Sequence, residues 1–294
     1  MSTNLIKIDK SAYGFLDFGA ARAEIVSEER QAAFGRYLEA GHHADMDYLA
    51  RNVDKRMDPS RLVPGAESVL CFLAPYGPAS GGVAGFAQGA DYHRIVKDRL
   101  FAVIRDLKAQ YPAFEGRPFV DSAPVLERYW AVQAGLGFIG QNNFFISPEF
   151  GLRTIIGIII CNIPVDRFAP HAPLPVTECG SCGACLKACP SGALRGPFDL
   201  DARRCIAYLT VESHEPLPLS LEERQGWRFG CEACMQACPW DKPLTPLPEF
   251  ETHRAEIAAM DDKAWHDFSQ TEFERRFADS GLRRAGLDHL KESS

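Results

Sequence analysis

The chain has no apolar run long enough to cross a membrane. Its longest, Ile155-Ile156-Gly157-Ile158-Ile159-Ile160-Cys161, covers about a third of the ~20 residues a spanning helix needs and reads as a buried strand. The N-terminal stretch MSTNLIKIDKSAYGF lacks the apolar h-region of a signal peptide. Positive charge is not in excess either. A formal net charge of −7 gathers no phosphates by itself, which excludes broad, non-specific nucleic-acid binding and leaves room only for a local basic groove. No internal repeat or low-complexity tract is present. A soluble, cytoplasmic protein is therefore expected, with no membrane partner. Cysteine, by contrast, is plentiful. Ten cysteines in a reducing compartment point to metal binding rather than disulfides.

The 46% hydrophobic content supplies a core for one large domain or two modest ones. Residues 1–170 read as a mixed α/β (α+β) domain. Within it, residues 28–50 have helical spacing with a break between two helices at Gly41, and Ser68 to Tyr76 is a buried strand followed by a glycine-rich loop over 77–89. Residues 91–110 place Ile95, Leu100, Val103, Ile104 and Leu107 on one helical face. Residues 127–134 form a helix stopped by Gly135, and Thr154 to Ile163 is a second strand. A proline-rich connector over 164–175 leads to a cysteine-rich module over 171–245. Residues 246–294 form a charged helical tail whose Trp265, Phe268, Phe273 and Phe277 are spaced to dock on the rest.

The cysteine-rich module opens on CGSCGACLKACP, that is Cys179, Cys182, Cys185 and Cys189 followed by Pro190. A second array holds Cys205 and then Cys231, Cys234 and Cys238 before Pro239. C-x₂-C-x₂-C-x₃-C-P is the bacterial ferredoxin run, in which three cysteines hold one cubane cluster and the fourth reaches across to the other. Cys179, Cys182, Cys185 and Cys238 would then bind one [4Fe–4S] cluster, and Cys189, Cys205, Cys231 and Cys234 a second. Cys205 stands in for the usual first cysteine of the second run, which implies an insertion looping away between Cys205 and Cys231. Structural zinc rarely uses this spacing. Cys71 and Cys161, inside apolar strands, read as inert core. Paired cubanes move single electrons but choose no substrate, so the α/β domain must bind whatever receives them.

Five blocks carry more: MDYLARNVDKRMDPSRLVPGAESV, GADYHRIVKDRL, FVDSAPVLERYWAVQAGLGFIGQN, LDARRCIAYLTVE and FGCEACMQACPWDK. In this order, over roughly residues 30–285, the chain resembles the epoxyqueuosine reductase family, cobalamin-dependent iron–sulfur enzymes of tRNA modification. The resemblance implies a cobalamin-binding domain like that of reductive dehalogenases, a ferredoxin-like double-cluster module, and removal of the epoxide oxygen of epoxyqueuosine in tRNA to give queuosine. It further implies tRNA as substrate through its wobble nucleotide, a flavodoxin- or ferredoxin-type electron donor, and a monomer. Longer members continue into a C-terminal helical-repeat region, and this chain is expected to be a short form without it.

The family's acid falls on Asp121 of VDSAP. Water formation consumes protons, and a carboxylic acid flanked by Val120, Ala123, Pro124 and Val125 in a semi-apolar pocket would stay protonated at neutral pH. The competing reading is a strand-end aspartate capping a helix that starts near Pro124. By the same resemblance Arg56, Ala84, Asp121, Phe145, Ile156 and Ala207 would contact cobalamin; for Arg56 the alternative is a surface salt bridge, for the others ordinary core. Gly135, Gly137 and Gly140 would allow close backbone approach. Here the chain departs from the family: Ala84 to Ala90 lacks the usual serine and arginines, and Gln141 and Ile158 replace a lysine and a glutamate. The alternatives are a paralogous reductase of a small molecule and an electron-transfer or corrinoid-reactivating protein.

Overall fold

In the computed structural model, residues 5–172, 174 and 178–291 are described; positions 173 and 175 of the proline-rich connector lie outside them. Four strands form the central sheet: β1 (Asp17–Arg22), β2 (Ser68–Pro75), β3 (Gly116–Phe119) and, after a hairpin of β4 (Phe138–Ile139) and β5 (Phe145–Ile146), β6 (Thr154–Cys161). Their order is β1-β2-β6-β3 with every pair antiparallel, so the domain is α+β. The register sets Cys71 opposite Ile158 and Leu70 opposite Ile159.

Both faces of this sheet are covered, which is why its two central strands are apolar throughout instead of alternating with polar residues. Leu70, Phe72, Ala74 and Ile159 face one core with Val96, Leu100 and Val103. Val69, Cys71, Leu73, Ile156, Ile158 and Ile160 face the other with Trp130, Ala131 and Ala134. Cys71 and Cys161 are fully buried, and burial raises the Cys71 thiol well above its usual range and Cys161 to about 11.

The helices follow from local signals. α1 (Glu28–Glu39) ends at Ala40, and Gly41 takes a φ of +64°. The expected second helix is absent: residues 40–52 run as turns, because Ala44 and Asn52 adopt left-handed φ angles that a right-handed helix does not pass through. Two short helices, α2 (Val53–Met57) and α3 (Pro59–Leu62), come next. α4 (Tyr92–Gln110) is capped by the Asp91 carboxylate, which accepts from the His93 amide. Its buried stripe of Ile95, Val96, Leu100, Val103, Ile104 and Leu107 packs on the sheet, each side chain contributing roughly 1.5–3 kcal/mol. Gly157 of β6 allows this approach, since a Cβ there would sit 2.9 Å from Val96. α5 (Glu127–Gln133) covers the opposite face and gives way at Gly135, φ +78°.

The cysteine-rich segment contains α6 (Ala184–Ala188), a hairpin of β7 (Leu194–Gly196) and β8 (Asp199–Leu200), α7 (Ile206–Val211) and α8 (Ala233–Gln236). The insertion between Cys205 and Cys231 does not loop away. Arg224 and Phe229 are buried, the Arg228 amide donates to the Gly82 carbonyl, and the Gly230 amide donates to Thr210 Oγ1. The tail folds as α9 (Arg254–Ala259), α10 (Asp262–Asp267), α11 (Gln270–Arg276) and α12 (Leu287–Lys291). Trp265, Phe268, Phe273 and Phe277 are buried with Val83, Ala87 and Phe229, so the tail docks on the glycine-rich loop and the returning insertion.

Candidate functional site

Two cavities divide eight cysteines between them. Cys179, Cys182, Cys185 and Cys238 line the smaller, of about 380 Å³, with Gln141, Asn142 and Trp240. Cys189, Cys205, Cys231 and Cys234 line part of the larger, of about 940 Å³. The last cysteine of each run therefore lies with the other run. Each set is held as thiolate ligands require: amides of Ala207 and Tyr208 donate toward Cys205, Ala233 toward Cys231, and Trp240 toward Cys238. Burial nevertheless pushes the Cys231 thiol up to about 12 and raises Cys234, with neighbouring thiolates adding to it. Four crowded thiols in such surroundings ionise only with a compensating cation, which cluster iron provides.

A buried triad ties the two sets to the sheet. Arg153, 3% exposed, donates to Glu232 at 2.6 Å and bidentately to Asp241 at 2.7 Å through both Nε and Nη2. Glu232 lies between Cys231 and Cys234, and Asp241 follows Cys238. Glu232 also accepts from the amides of Gly85 and Ala79, anchoring the glycine-rich loop. Gly85 has no room for a side chain there, since a Cβ would lie 1.8 Å from the Gly77 carbonyl oxygen.

Asp121 stands on the rim of the larger cavity, just past the end of β3. It is exposed and has a φ of +46°, a strained position for a non-glycine residue. Its apolar surroundings are not the flanking residues expected, since Val120 and Val125 are buried in the two cores; they are cavity walls such as Phe86, Phe145 and Ile156. Its partner is Tyr92, whose hydroxyl donates to Oδ2 at 2.5 Å. Burial first, then the charge of Asp121, pushes the Tyr92 hydroxyl upward, so it remains a donor. Asp121 does not cap the next helix, which begins at Glu127 after Leu126.

Phe145, Ile156 and Ala207 line the larger cavity with Asp121. Arg56 and Ala84 are not in its lining. Arg56 is buried, donating to the carbonyls of Val125 at 3.4 Å and Tyr48 at 3.2 Å with its guanidinium over Phe34; it forms no surface salt bridge among the described residues. The Ala84 amide donates to the Phe229 carbonyl, and the residue is packed in place at 1% exposure. Three further contributions went unread in the sequence. Tyr92 sits inside a quoted block but signals nothing alone. Glu127, on the cavity wall, is pushed up to about 8 by burial and by Asp121; an acid in the first turn of a helix is ordinarily a solvated partner of the helix dipole. Ala278, Asp279, Ser280, Gly281, Arg283 and Arg284 complete the rim, positioned by the Ala90–Ser280 bridge and the Asp91 amide donating to the Asp279 carbonyl.

A four-stranded α+β domain enclosing a large cavity, with two four-cysteine sets against it, defines a double-cluster iron–sulfur reductase. Residues 178–241 match the family described as a 4Fe-4S double cluster binding domain, and residues 56–122 match that described as epoxyqueuosine reductase QueG, DUF1730. The epoxyqueuosine reductase of Cyclobacterium marinum is 34% identical over 293 residues, covering 96% of this chain and 92% of its own. That of Pseudomonas aeruginosa is 38% identical over 295 residues, covering 94% and 79%. The crystal structure of epoxyqueuosine reductase with an epoxyqueuosine-modified tRNA-Tyr stem loop superposes with a TM-score of 0.83 at 27% identity, over 96% of this chain and 76% of that one. The catabolic reductive dehalogenase NpRdhA shares the fold, with a TM-score of 0.50 at 15% identity over 86% of this chain and 35% of its own. The chain belongs to the epoxyqueuosine reductase family. Its residues 178–241 carry a double 4Fe-4S cluster module.

Proposed function

We propose that the protein reduces epoxyqueuosine to queuosine in tRNA, acting in the cytoplasm as a monomer supplied by a flavodoxin- or ferredoxin-type donor. The observation that carries this reading is the larger cavity itself, which faces a proton-bearing rim of Asp121 and Tyr92 on one side and Cys189, Cys205, Cys231 and Cys234 on another. An electron carrier needs no proton donor.

Phe145, Ile156 and Ala207 are the residues that would wall cobalamin in this cavity, whose mixed lining and size suit a large amphipathic cofactor. Bound there, cobalamin supplies a low-potential centre able to break carbon–oxygen bonds. The chain's residues do the rest. The crossed cysteine sets bring electrons in, one at a time. Tyr92 holds the Asp121 carboxyl at the rim through the Oδ2 contact, and Asp121 gives its proton to the oxygen being removed. Arg94, Arg128, Arg283 and Arg284 border the cavity among five acidic residues, Arg94 paired with Asp279 and Arg284 with Glu212, and would offer donors to nucleotide phosphates.

The test is anaerobic reconstitution with iron, sulfide and cobalamin, then reduction and incubation with epoxyqueuosine-containing tRNA. Nucleoside analysis should show queuosine. An unchanged substrate, with clusters and cobalamin both bound, would refute the assignment.

A further inference from the structure

Turning an epoxide into an alkene breaks two C–O bonds, forms a C=C bond and releases the oxygen as water, consuming two electrons and two protons. On the proposed function, Asp121 supplies one proton per ionisation, and a nucleotide seated at the mouth covers its route to solvent. We propose that Glu127 is a second acid of this cavity, holding in reserve the proton that completes the departing water.

Glu127 opens α5, six residues beyond Asp121, and lines the cavity with it. Its Oε1 is sealed from solvent and has no hydrogen-bond partner, which is costly for an anion and tolerable for a neutral acid. The groups facing it come from several elements: Asp121 from the loop after β3, Arg56 from α2, Arg128 from its own helix, and the Cys71 thiol from β2. Both arginines are directed elsewhere, Arg56 to the carbonyls of Val125 and Tyr48 and Arg128 to that of Asn143. They soften the effect of burial and of Asp121 without cancelling it, and the carboxyl keeps its proton to about 8. Two carboxyls on one cavity, one exposed and one half-buried with a sealed oxygen, are a recurrent way to separate acid roles.

The balance is as follows. Two electrons arrive singly from the protein donor through the cysteine-held clusters. Asp121 protonates the oxygen as the first C–O bond opens, leaving a hydroxyl. Glu127 protonates that hydroxyl as the second C–O bond breaks and water leaves. Both carboxylates are refilled from solvent after product release.

Glu127→Gln preserves shape and removes the proton. It should lower kcat on the order of 10²-fold, within the range of a positioned acid, leave KM unchanged, and abolish the fall in kcat that the wild type shows as pH rises through about 8. Infrared difference spectra of cofactor-free protein, taken below and above about 8, should show a protonated-carboxyl band lost with rising pH in the wild type and absent in Glu127→Gln. Should the glutamine variant not fold, Glu127→Asp should keep both the band, shifted, and the pH limb. A wild-type spectrum without the band, or a Gln variant with wild-type kcat and pH profile, overturns the inference. A wild type that shows the band yet never forms queuosine overturns the functional reading, and the second-acid role with it.

Discussion

The two cysteine sets share one chemistry and differ in surroundings. Cys182 of the outer set is exposed, whereas none of the inner four is. The inner set opens on the cavity that also holds Asp121 and Glu127, and two of its thiols carry the largest upward shifts among the eight. A chain that must take electrons from outside and release them at a sheltered centre needs such a pair, one end reachable by a partner and the other withdrawn from water. The crossed placement of Cys189 and Cys238 joins the two ends, because each run lends cysteines to both cavities.

Breaking the inner end should have the largest effect. Cys234→Ala is expected to abolish turnover while keeping about half of the iron, with the outer cluster's EPR signal intact; Cys238→Ala should instead remove the signal of the outer cluster. Loss of the same cluster in both variants would show that the ligands are not crossed. The next effect concerns the rim. Asp121→Asn should keep both clusters and cobalamin but lose on the order of 10²–10⁴-fold in turnover. Wild-type turnover by this variant would remove the acid role, since no helix depends on Asp121 as a cap.

A smaller effect tests whether the two ends are mechanically joined. Arg153→Met leaves Glu232 buried without its cation and should cost roughly 3–5 kcal/mol in anaerobic denaturant unfolding. Because Arg153 holds a neighbour of each set, both cluster signals should broaden together; a change confined to one would show that the triad does not couple them. The smallest effect is on pH and stability. Native Glu127 keeps its proton to about 8, whereas an unfolded chain loses it near the ordinary glutamate value of 4.5. The folded state therefore binds more protons across that window, and cofactor-free stability should fall as pH rises through it, then level off. Thermal unfolding of Glu127→Gln should lack that slope.

Local patterns made much of this legible beforehand. The two central strands of the sheet were readable because both faces are buried, and α4 because its apolar stripe keeps helical period over 19 residues; the edge strands β1 and β3 were not read. Cysteine spacing marked the clusters for the same reason: ligation by one chain segment is a local property. What escaped depends on distance along the chain. The turns over 40–52 carry helix-compatible residues whose conformation is set by left-handed positions at Ala44 and Asn52, neither of them glycine. The burial of Glu127 is decided by a cavity whose walls come from segments up to 157 residues away, Arg284 being the furthest (284 − 127). The exposure of Asp121 reflects a backbone twist after β3 that apolar neighbours disguise, since those neighbours point into the cores and not around the carboxyl.

The rim formed by residues 278–284 also sets an order of events during synthesis. Translation proceeds from the N-terminus, so the sheet, α4 and all eight cluster cysteines leave the ribosome before the strand-like contact of Ser280 with Ala90 can form. Once the tail's aromatic residues settle against Val83 and Phe229, the rim of the larger cavity is complete.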